Sequence, residues 1–224
     1  MSVKNSQIYQ PYFTKCKAQT MTNKKRFESL LDCIIDVNKR QISGVMVEVG
    51  VWKGGNCMAM AYTNMAMKIE REIYLFDTFK GVTEPIRGVD LGNGGKCAHT
   101  LWEKHNERWC YAPIERVLSN MKSTGYPKDK IKFIQGDISI TGRSYKMKPI
   151  SILRIDVDIY KPTYDTLRYF YPYLVNGGYL ILDDHFHWMG AKKAANQYFR
   201  EIGERLELIR VDDTDSCGYM IKKN

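Results

Sequence analysis

The sequence lacks a long uncharged segment, and this excludes two classes of protein at once. One of its longest uncharged stretches runs from Gly54 to Met67, which is too short and too polar to cross a bilayer. Residues 1–13 contain no apolar run of the kind that forms the centre of a secretory signal. We therefore expect a cytoplasmic protein with neither a membrane span nor a signal peptide.

Closely spaced cysteine pairs are also missing. The six cysteines include no C-x-x-C pair, and without an export signal they are expected to be reduced thiols. Cys97, His99, His105 and Cys110 share one region, but their spacing matches no familiar closed zinc site. The composition therefore excludes a disulfide scaffold and gives no support to a zinc module.

Long basic runs are absent, although the chain carries a formal net charge of +9. Such a charge can attract nucleic acid, an anionic membrane surface or an anionic small molecule. Scattered lysines and arginines are more typical of a solvated surface, so we expect no nucleic-acid partner. With 224 residues, of which 44% are hydrophobic, the chain can bury the core of one α/β domain.

Apolar residues recur with a helical period near the N-terminus and occur in short runs from Val45 onward. From Asn23 onward they fall three and four positions apart, which predicts a helix that ends between Arg40 and Gly44. Seven short apolar runs then predict strands, and helical segments separate the first six of them. The predicted strands are Val45–Val49, Ile73–Phe76, Ile131–Ile134, Ile150–Ile155, Tyr179–Leu182, Leu206–Val211 and Tyr219–Ile221. The predicted helices between them are Gly55–Glu70, Ile114–Thr124, a weak one within 139–147, Thr163–Leu174 and Ala191–Gly203.

Alternation of strands and helices is typical of a parallel sheet with helices on both faces. The connector Asp212–Ser216 is too short for a parallel crossover, so the last strand should run antiparallel. The prediction is an α/β fold with a Rossmann-like, seven-stranded, mostly parallel sheet and an antiparallel last strand. Residues 1–44 are expected to form an N-terminal helical appendage to the main domain, 45–224. Within that domain, the glycine-rich segment 78–112 is expected to be a lid-like insertion.

The turn after the first predicted strand contains residues suited to a ligand. Glycines let the backbone approach a bound molecule, and the start of the next helix offers free N–H groups. Glu48, near the end of the strand, suits a cationic or amine-bearing ligand. A plain tight turn between strand and helix is the alternative. The candidate contacts in this turn are Glu48, Gly50, Trp52, Gly54, Gly55 and Asn56.

Aspartates also end the second predicted strand and follow the third. Asp77, followed by Thr78, can accept hydrogen bonds from both hydroxyls of a ribose, although an aspartate that caps a turn is the alternative. Asp137 would line an adenine pocket. Ligands of open α/β sheets lie at the carboxyl ends of the strands, so the joint placement of these groups indicates a cofactor site.

Four aspartates lie at the ends of the fourth and fifth predicted strands. Neighbouring strands would bring Asp156, Asp183 and Asp184 together, and three such close carboxylates cannot all stay ionised without a cation. Oxygen ligands favour Mg²⁺, Mn²⁺ or Ca²⁺ over zinc. Aspartates that only cap turns and helices are the alternative. If the strand continues that far, Asp158 shares a face with Asp156 and could replace or support it.

Two histidines follow the aspartate pair. Either His185 or His187 could act as a general base or complete a metal site. A histidine that lies beside the metal without a chemical role is the alternative. We therefore predict His185, His187 and Asp156 as the catalytic residues.

These motifs resemble those of class I S-adenosylmethionine-dependent methyltransferases and, within them, the macrocin-O-methyltransferase family. The similarity extends from about Val45 to Phe199 and is most specific in Leu153–Tyr160 and Asn176–Asp184. The other matching segments are Val47–Gly55, Phe76–Val82, Gly136–Asp137 and Gly190–Ala194. The resemblance implies an enzyme that transfers a methyl group from S-adenosylmethionine to a sugar hydroxyl with the help of Mg²⁺ or Mn²⁺.

The resemblance also assigns roles to residues. Glu48, Gly50 and Asp77 would hold S-adenosylmethionine, and Asp137 would lie by its adenine. Asp156 would border the cofactor as well as the metal. The implied metal ligands are Asp156, Asp183 and Asp184.

Two other functions remain open at this point. A catechol-like phenol chelates a metal as a vicinal diol does, so a phenol O-methyltransferase fits the same residues. A non-catalytic module that binds a nucleotide or nucleic acid is supported only by the net charge. The expected substrate is a sugar-containing small molecule or glycan precursor, nucleotide-linked, polymeric or attached to a natural product. The helix from Asn23 to Arg40 could pair with its copy in a homodimer.

Overall fold

Seven strands form one mixed sheet in a computed structural model that describes residues 3–211 and 216–223. They are β1 (Val45–Val49), β2 (Ile73–Asp77), β3 (Ile131–Gln135), β4 (Ile150–Ile155), β5 (Leu174–Leu182), β6 (Ile209–Arg210) and β7 (Gly218–Ile221). The strand order is β3-β2-β1-β4-β5-β7-β6. Strands β1 to β5 are parallel, and β7 runs antiparallel to both β5 and β6. The predicted fold class is confirmed; most of the predicted connector, 212–215, lies outside the described residues.

Helices cover both faces of the sheet. They are α1 (Val3–Cys16), α2 (Lys24–Lys39), α3 (Gly55–Ala66), α4 (Ala98–Lys104), α5 (Ile114–Ser123), α6 (Ile138–Ser144), α7 (Tyr160–Phe170) and α8 (Met189–Glu201). Successive residues of a strand point to opposite faces, so the core divides into two layers. Met46 and Ile152 pack with α2, α3 and α5, whereas Val47 and Leu153 pack with α6, α7 and α8.

Helix α1 is not predicted by the sequence pattern. Its segment is polar, lacks an apolar period and contains Pro11. Its aromatic side chains pack against other helices: Tyr12 stacks on Tyr62 of α3, and Phe13 contacts Phe27 of α2 edge-on. Tertiary packing therefore stabilises a helix that propensity and periodicity do not reveal.

The bounds of several other elements also differ from the prediction. Helix α7 starts three residues earlier than predicted, because Pro162 fits its first turn, and it ends at Phe170. Strand β5 starts at Leu174, five residues before the predicted start, because its Asn-Gly-Gly segment reads as a turn in the sequence although it lies within a strand. Strand β6 is reduced to two exposed residues.

The segment 78–112, hereafter the insertion, contains helix α4 and two isolated bridges. One bridge closes a turn between Leu91 and Cys97, and the other joins Gly92 to Trp188. The six cysteines are free thiols, as predicted. Within the described ranges, no helix is long and apolar enough to cross a membrane.

Candidate active site

Two adjoining clefts open at the carboxyl ends of the parallel strands. The first cleft, of about 670 Å³, lies over β1, β2, β3 and β4, and the acidic cavity, of about 1030 Å³, lies over β1, β4 and β5. Met21, Trp52, Cys110, Asp156 and Asp158 line both. The first cleft is also lined by Val49, Gly50, Phe76, Asp77, Thr78, Gly81, Val82, Thr83, Gly136, Asp137, Ile138, Val157 and Pro162. The acidic cavity is also lined by Thr20, Thr22, Arg26, Val51, Asn56, Trp109, Asp183, Asp184, His187 and Ser216.

Asp77 organises the wall of the first cleft. Its Oδ2 accepts hydrogen bonds from the N–H groups of Val51 at 2.7 Å and Trp52 at 3.1 Å. Its Oδ1 accepts from the N–H of Phe79 at 2.7 Å. Burial raises the pKa of Asp77, and these three N–H donors partly oppose that rise. One carboxylate therefore ties the turn after β1 to the turn after β2.

The turn after β1 has a strained backbone. Gly50 has φ +82°, and a Cβ there would lie 1.8 Å from the carbonyl oxygen of Asp156. Trp52 has φ +48°, which is unfavourable for a residue with a side chain. Strain of this kind persists only where the surrounding structure enforces it, and here the Asp77 carboxylate holds the amide of Trp52.

The two glycines at the start of α3 approach the protein's own chain. A Cβ on Gly55 would lie 2.6 Å from the carbonyl oxygen of Gln19, and a Cβ on Gly54 would lie 2.9 Å from Val117. Asn56 lines the acidic cavity and exchanges hydrogen bonds with Thr20 and Thr22. Gly55 and Asn56 thus hold the segment 19–22 in place beside the cavity.

Two further residues of the first cleft make local hydrogen bonds. Asp137 caps α6 by accepting from the N–H of Ser139 at 2.8 Å, and it lines the first cleft. Thr78 also lines that cleft, and its hydroxyl donates to the carbonyl of Gly81 at 2.7 Å.

Glu48 is buried behind the clefts, in a hydrogen-bond network. Its Oε1 accepts from Arg154 Nη1 at 2.5 Å and from Asn56 Nδ2 at 3.2 Å. Its Oε2 accepts from the thiol of Cys57 at 2.8 Å. Asn56 and Cys57 belong to the start of α3, and Arg154 belongs to β4. The fully buried carboxylate of Glu48 therefore connects these two elements.

Three carboxylates converge on the floor of the acidic cavity. Asp156, Asp183 and Asp184 each offer a ligand oxygen, and these oxygens lie within 4.8 Å of one another. Arg154, only 1% exposed, binds Asp156 through Nη1 at 2.6 Å and Asp183 through Nη2 at 2.5 Å. Arg26 of α2 binds the second oxygen of Asp183 at 2.6 Å. The structure thus brings together the predicted metal ligands and supplies two positive charges beside them.

The carboxylates still outnumber the arginines around this floor. Burial raises the pKa of Asp158 to about 7, and the negative charges of Asp156 and Asp183 add to the rise. Burial and the same neighbours raise the pKa of Asp184 well above its ordinary value. Burial disfavours the charge of Arg154, but the surrounding carboxylates reverse that effect and raise its pKa. The repulsion among these carboxylates favours a bound proton, and a bound cation would relieve the same repulsion.

The two histidines occupy different environments. His187 is exposed and lines the acidic cavity. His185 is buried and lines a separate small pocket with Thr163 and Asp184, and burial lowers its pKa to about 4. The Nδ1 atom of His185 has no hydrogen-bond partner among the described residues. Of the two, His187 has the access that proton exchange with a substrate requires.

Several lining residues were not singled out from the sequence. Met21 and Arg26 precede β1 and Trp109 belongs to the insertion, so their distance in sequence from the strand ends hides their contribution. Arg154 lies between two apolar residues of a central strand, and a charged residue at such a position is a usable signal of a buried ion pair.

Comparison with known proteins identifies the class of this fold and site. The solved structure of the O-methyltransferase NovP matches with a TM-score of 0.81 and 27% identity, covering 92% of this chain and 83% of that one. The calicheamicin methyltransferase CalS11 matches with a TM-score of 0.69 and 17% identity over 99% of this chain and 93% of that one, a likeness of fold alone. The protein is a Rossmann-like, S-adenosylmethionine-dependent O-methyltransferase.

Sequence comparison defines the family. The family described as Macrocin-O-methyltransferase (TylF) matches residues 11–220, and this chain belongs to it. The demethyldecarbamoylnovobiocin O-methyltransferase of Streptomyces niveus is 30% identical over 197 residues, or 87% of this chain and 73% of the relative. The mycinamicin III 3''-O-methyltransferase of Micromonospora griseorubida is 27% identical over 200 residues, or 87% of this chain and 76% of the relative.

Proposed function

We propose that this enzyme methylates a hydroxyl of a sugar and that a divalent cation, Mg²⁺ or Mn²⁺, assists the reaction. The observation that carries the proposal is the carboxylate cluster on the floor of a cavity that adjoins the first cleft. The cluster lies where a donor in one cleft and an acceptor in the other would meet. Named relatives act on natural products such as mycinamicin III, which supports a sugar-bearing acceptor.

The first cleft is proposed to hold S-adenosylmethionine, which supplies the methyl group when it is bound. Asp77 and Thr78 would face its ribose, Asp137 its adenine, and Gly50 and Trp52 its methionine end. In this assignment Glu48, Gly54, Gly55 and Asn56 act behind the cleft by holding the turn after β1 and the start of α3.

The acidic cavity fits a divalent cation by the chemistry of its donors. Carboxylate oxygens are the ligands that Mg²⁺ and Mn²⁺ prefer, and such an ion would relieve the repulsion that raises the pKa values of Asp158 and Asp184. Asp156, Asp183 and Asp184 would hold it. A bound ion would supply Lewis acidity, which lowers the pKa of a hydroxyl. Arg154 and Arg26 would keep two of these carboxylates in place from behind.

Two groups beside the cavity are candidates to take the hydroxyl proton. Asp158 lines both clefts, so it lies where donor and acceptor meet, and it has φ +61° in a sharp turn after β4. His187 lines the acidic cavity alone. We assign the proton to Asp158 because of its shared position and keep His187 as the alternative.

Paired variants separate these two candidates. We expect Asp158→Asn to lower kcat by about 10²- to 10⁴-fold, because it removes the general base, and His187→Gln to lower it by less than about tenfold. The measurement is kcat at saturating S-adenosylmethionine and acceptor. A large loss in His187→Gln with near-normal activity in Asp158→Asn would assign the proton to the histidine instead.

Asp77 offers a test of the first cleft. In Asp77→Asn one acceptor oxygen becomes an NH₂ group that faces a backbone N–H, so the turn around Trp52 should lose its support. We expect the affinity for S-adenosylhomocysteine to fall at least about tenfold, or about 1.4 kcal/mol, by calorimetry. Unchanged affinity would place the cofactor elsewhere.

The decisive test of the proposal uses chelator-treated enzyme. Calorimetric titration should show binding of S-adenosylmethionine and a separate site for Mg²⁺ that is lost in Asp183→Ala. An acceptor screen should then compare vicinal-diol sugars, free and nucleotide-linked, with catechols, with and without Mg²⁺. Turnover of sugars only in the presence of the metal would support the proposal. Turnover of catechols alone would favour the phenol methyltransferase, and metal-independent turnover would remove the cation from the mechanism.

A further inference from the structure

Main-chain and side-chain hydrogen bonds fasten the insertion to the segment that follows Asp184. The carbonyl of Leu91 accepts from the N–H of Met189 at 2.7 Å, and the N–H of Asn93 donates to the carbonyl of His187 at 3.0 Å. The side-chain Nδ2 of Asn93 donates to the carbonyl of Phe186 at 3.0 Å. Because His187 lines the acidic cavity, the insertion supports one wall of that cavity.

Asp90 lies at the centre of this junction and is fully buried. Its Oδ2 accepts from the N–H of Ile86 at 2.7 Å, within the insertion. Its Oδ1 accepts from the N–H of Tyr160 at 2.7 Å, at the first residue of α7. Its own carbonyl accepts from the N–H of Ala98, at the first residue of α4, at 2.9 Å. A single residue therefore joins the insertion to the start of α7.

The second residue of α8, Gly190, also packs against the carboxylate of Asp90. A Cβ on Gly190 would lie 1.8 Å from Asp90 Oδ1 and 3.0 Å from the backbone nitrogen of Tyr160. Only glycine fits such an approach, so the starts of α7 and α8 meet at Asp90. Asp158 precedes Tyr160 by two residues, and His187 precedes Gly190 by three.

The carboxylate chemistry makes this junction sensitive to substitution. Burial raises the pKa of Asp90, and the N–H groups of Ile86 and Tyr160 partly oppose the rise. A carboxylate near the start of a helix is stabilised by the free N–H groups there. A buried acceptor that loses its donors carries the full cost of its desolvation, so the donors and the carboxylate depend on one another.

We propose that Asp90 is a positioning residue of this enzyme, which places Asp158 through the start of α7 and His187 through the start of α8. The insertion then acts as a brace between the two sides of the acidic cavity. The consequence for catalysis rests on the proposed roles of Asp158 and His187, whereas the junction itself can be tested without an acceptor.

Hydrogen exchange of Asp90→Asn tests the junction directly, because Asn presents an NH₂ group to one of two N–H donors. We expect the amides in 86–98, 158–162 and 187–191 to exchange about tenfold faster together, while β1 and β4 keep their protection. With an acceptor in hand, kcat should fall about tenfold or more while KM for S-adenosylmethionine stays within about twofold. A general loss of structure would instead raise exchange throughout the sheet.

A second pair of variants keeps the test valid if Asp90→Asn does not fold. Tyr160 is the first residue of α7, where the backbone angle of proline fits, so Tyr160→Pro breaks the contact with Asp90 by replacing the donated N–H with a ring carbon that faces Oδ1. Tyr160→Ala removes the same side chain and keeps that N–H. We expect faster exchange in 86–98 for Tyr160→Pro than for Tyr160→Ala.

Two results would overturn the inference. One is exchange in Asp90→Asn that rises only within 86–98 and leaves 158–162 and 187–191 unchanged. The other is identical exchange in Tyr160→Pro and Tyr160→Ala. Neither result depends on the acceptor, so a failure of the junction is distinguishable from a failure of the proposed sugar methylation.

Discussion

Asp184→Asn should remove metal binding and lower the rate of methyl transfer by about 10³-fold, since metal Lewis acidity is worth several kcal/mol and 1.4 kcal/mol is tenfold. The same substitution should not destabilise the metal-free enzyme. Burial and the charges of Asp156, Asp158 and Asp183 raise the pKa of Asp184, so the fold disfavours its negative charge. The remaining side-chain oxygen of Asn can still accept from the N–H of Asp158. Metal binding and activity are thus expected to fall without a loss of stability in the metal-free enzyme.

The measurements are Mg²⁺ titration, kcat and the melting temperature in chelator. Asp165→Asn is a matched control, because Asp165 is a buried carboxylate on α7 whose partner, Lys161, lies outside the cavity. We expect the control to keep both metal binding and activity. Full metal-dependent activity in Asp184→Asn, or a lower melting temperature than that of the metal-free parent, would contradict this account of the carboxylate cluster.

Arg154→Met should cause the largest loss of stability, about 3–5 kcal/mol in the free energy of unfolding, because it leaves buried carboxylates without their counter-charge. Glu48 and Asp183 are both buried, and Arg154 binds each of them at 2.5 Å. Urea unfolding measures the effect. The double variant Arg154→Met/Glu48→Gln should recover part of the loss, because it removes one of the unpaired charges.

The loss in Arg154→Met should also depend on pH. Burial already raises the folded pKa of Glu48, and Arg154 opposes that rise, so the substitution should raise the pKa further. A carboxyl whose folded pKa lies above its unfolded value stabilises the fold at low pH and loses that contribution as pH rises through the folded pKa. The deficit should therefore be larger at pH 8 than at pH 5. A pH-independent deficit, or no gain from Glu48→Gln, would show that packing rather than charge holds Arg154 in place.

The number and direction of the strands are largely predictable from this sequence, because buried parallel strands read as short apolar runs between helical segments. The short connector before the last strand also predicts its antiparallel direction, which β7 has. Helix α1 is not predictable in the same way, because its stability comes from contacts of Tyr12 and Phe13 with distant helices. The start of β5 is missed for a local reason: its Asn-Gly-Gly segment has turn chemistry within a strand.

The carboxylate cluster is predictable for the same reason as the sheet. Asp156, Asp183 and Asp184 follow neighbouring strands, and neighbouring strands end side by side. Sequence position does not reveal which way a side chain points. Glu48 lies within the cofactor motif, yet its side chain binds Arg154 instead of lining a cleft. His185 comes directly after the aspartate pair, yet it lines a separate small pocket. Such outcomes depend on packing between segments far apart in the chain.

The segment before α2 has a consequence for attempts to change acceptor preference by exchanging segments between relatives. Thr20, Met21 and Thr22 form part of the cavity wall, so this stretch is an obvious piece to transplant. Yet Thr22 receives hydrogen bonds from Asn56 and Arg154, and Arg26, four residues later, binds Asp183. A chimera joined before Arg26 would combine residues 20–22 of a relative with this protein's own Arg26, the counter-ion of Asp183. The smallest exchangeable module therefore extends through the first turn of α2, and its boundary is set by electrostatics rather than by shape.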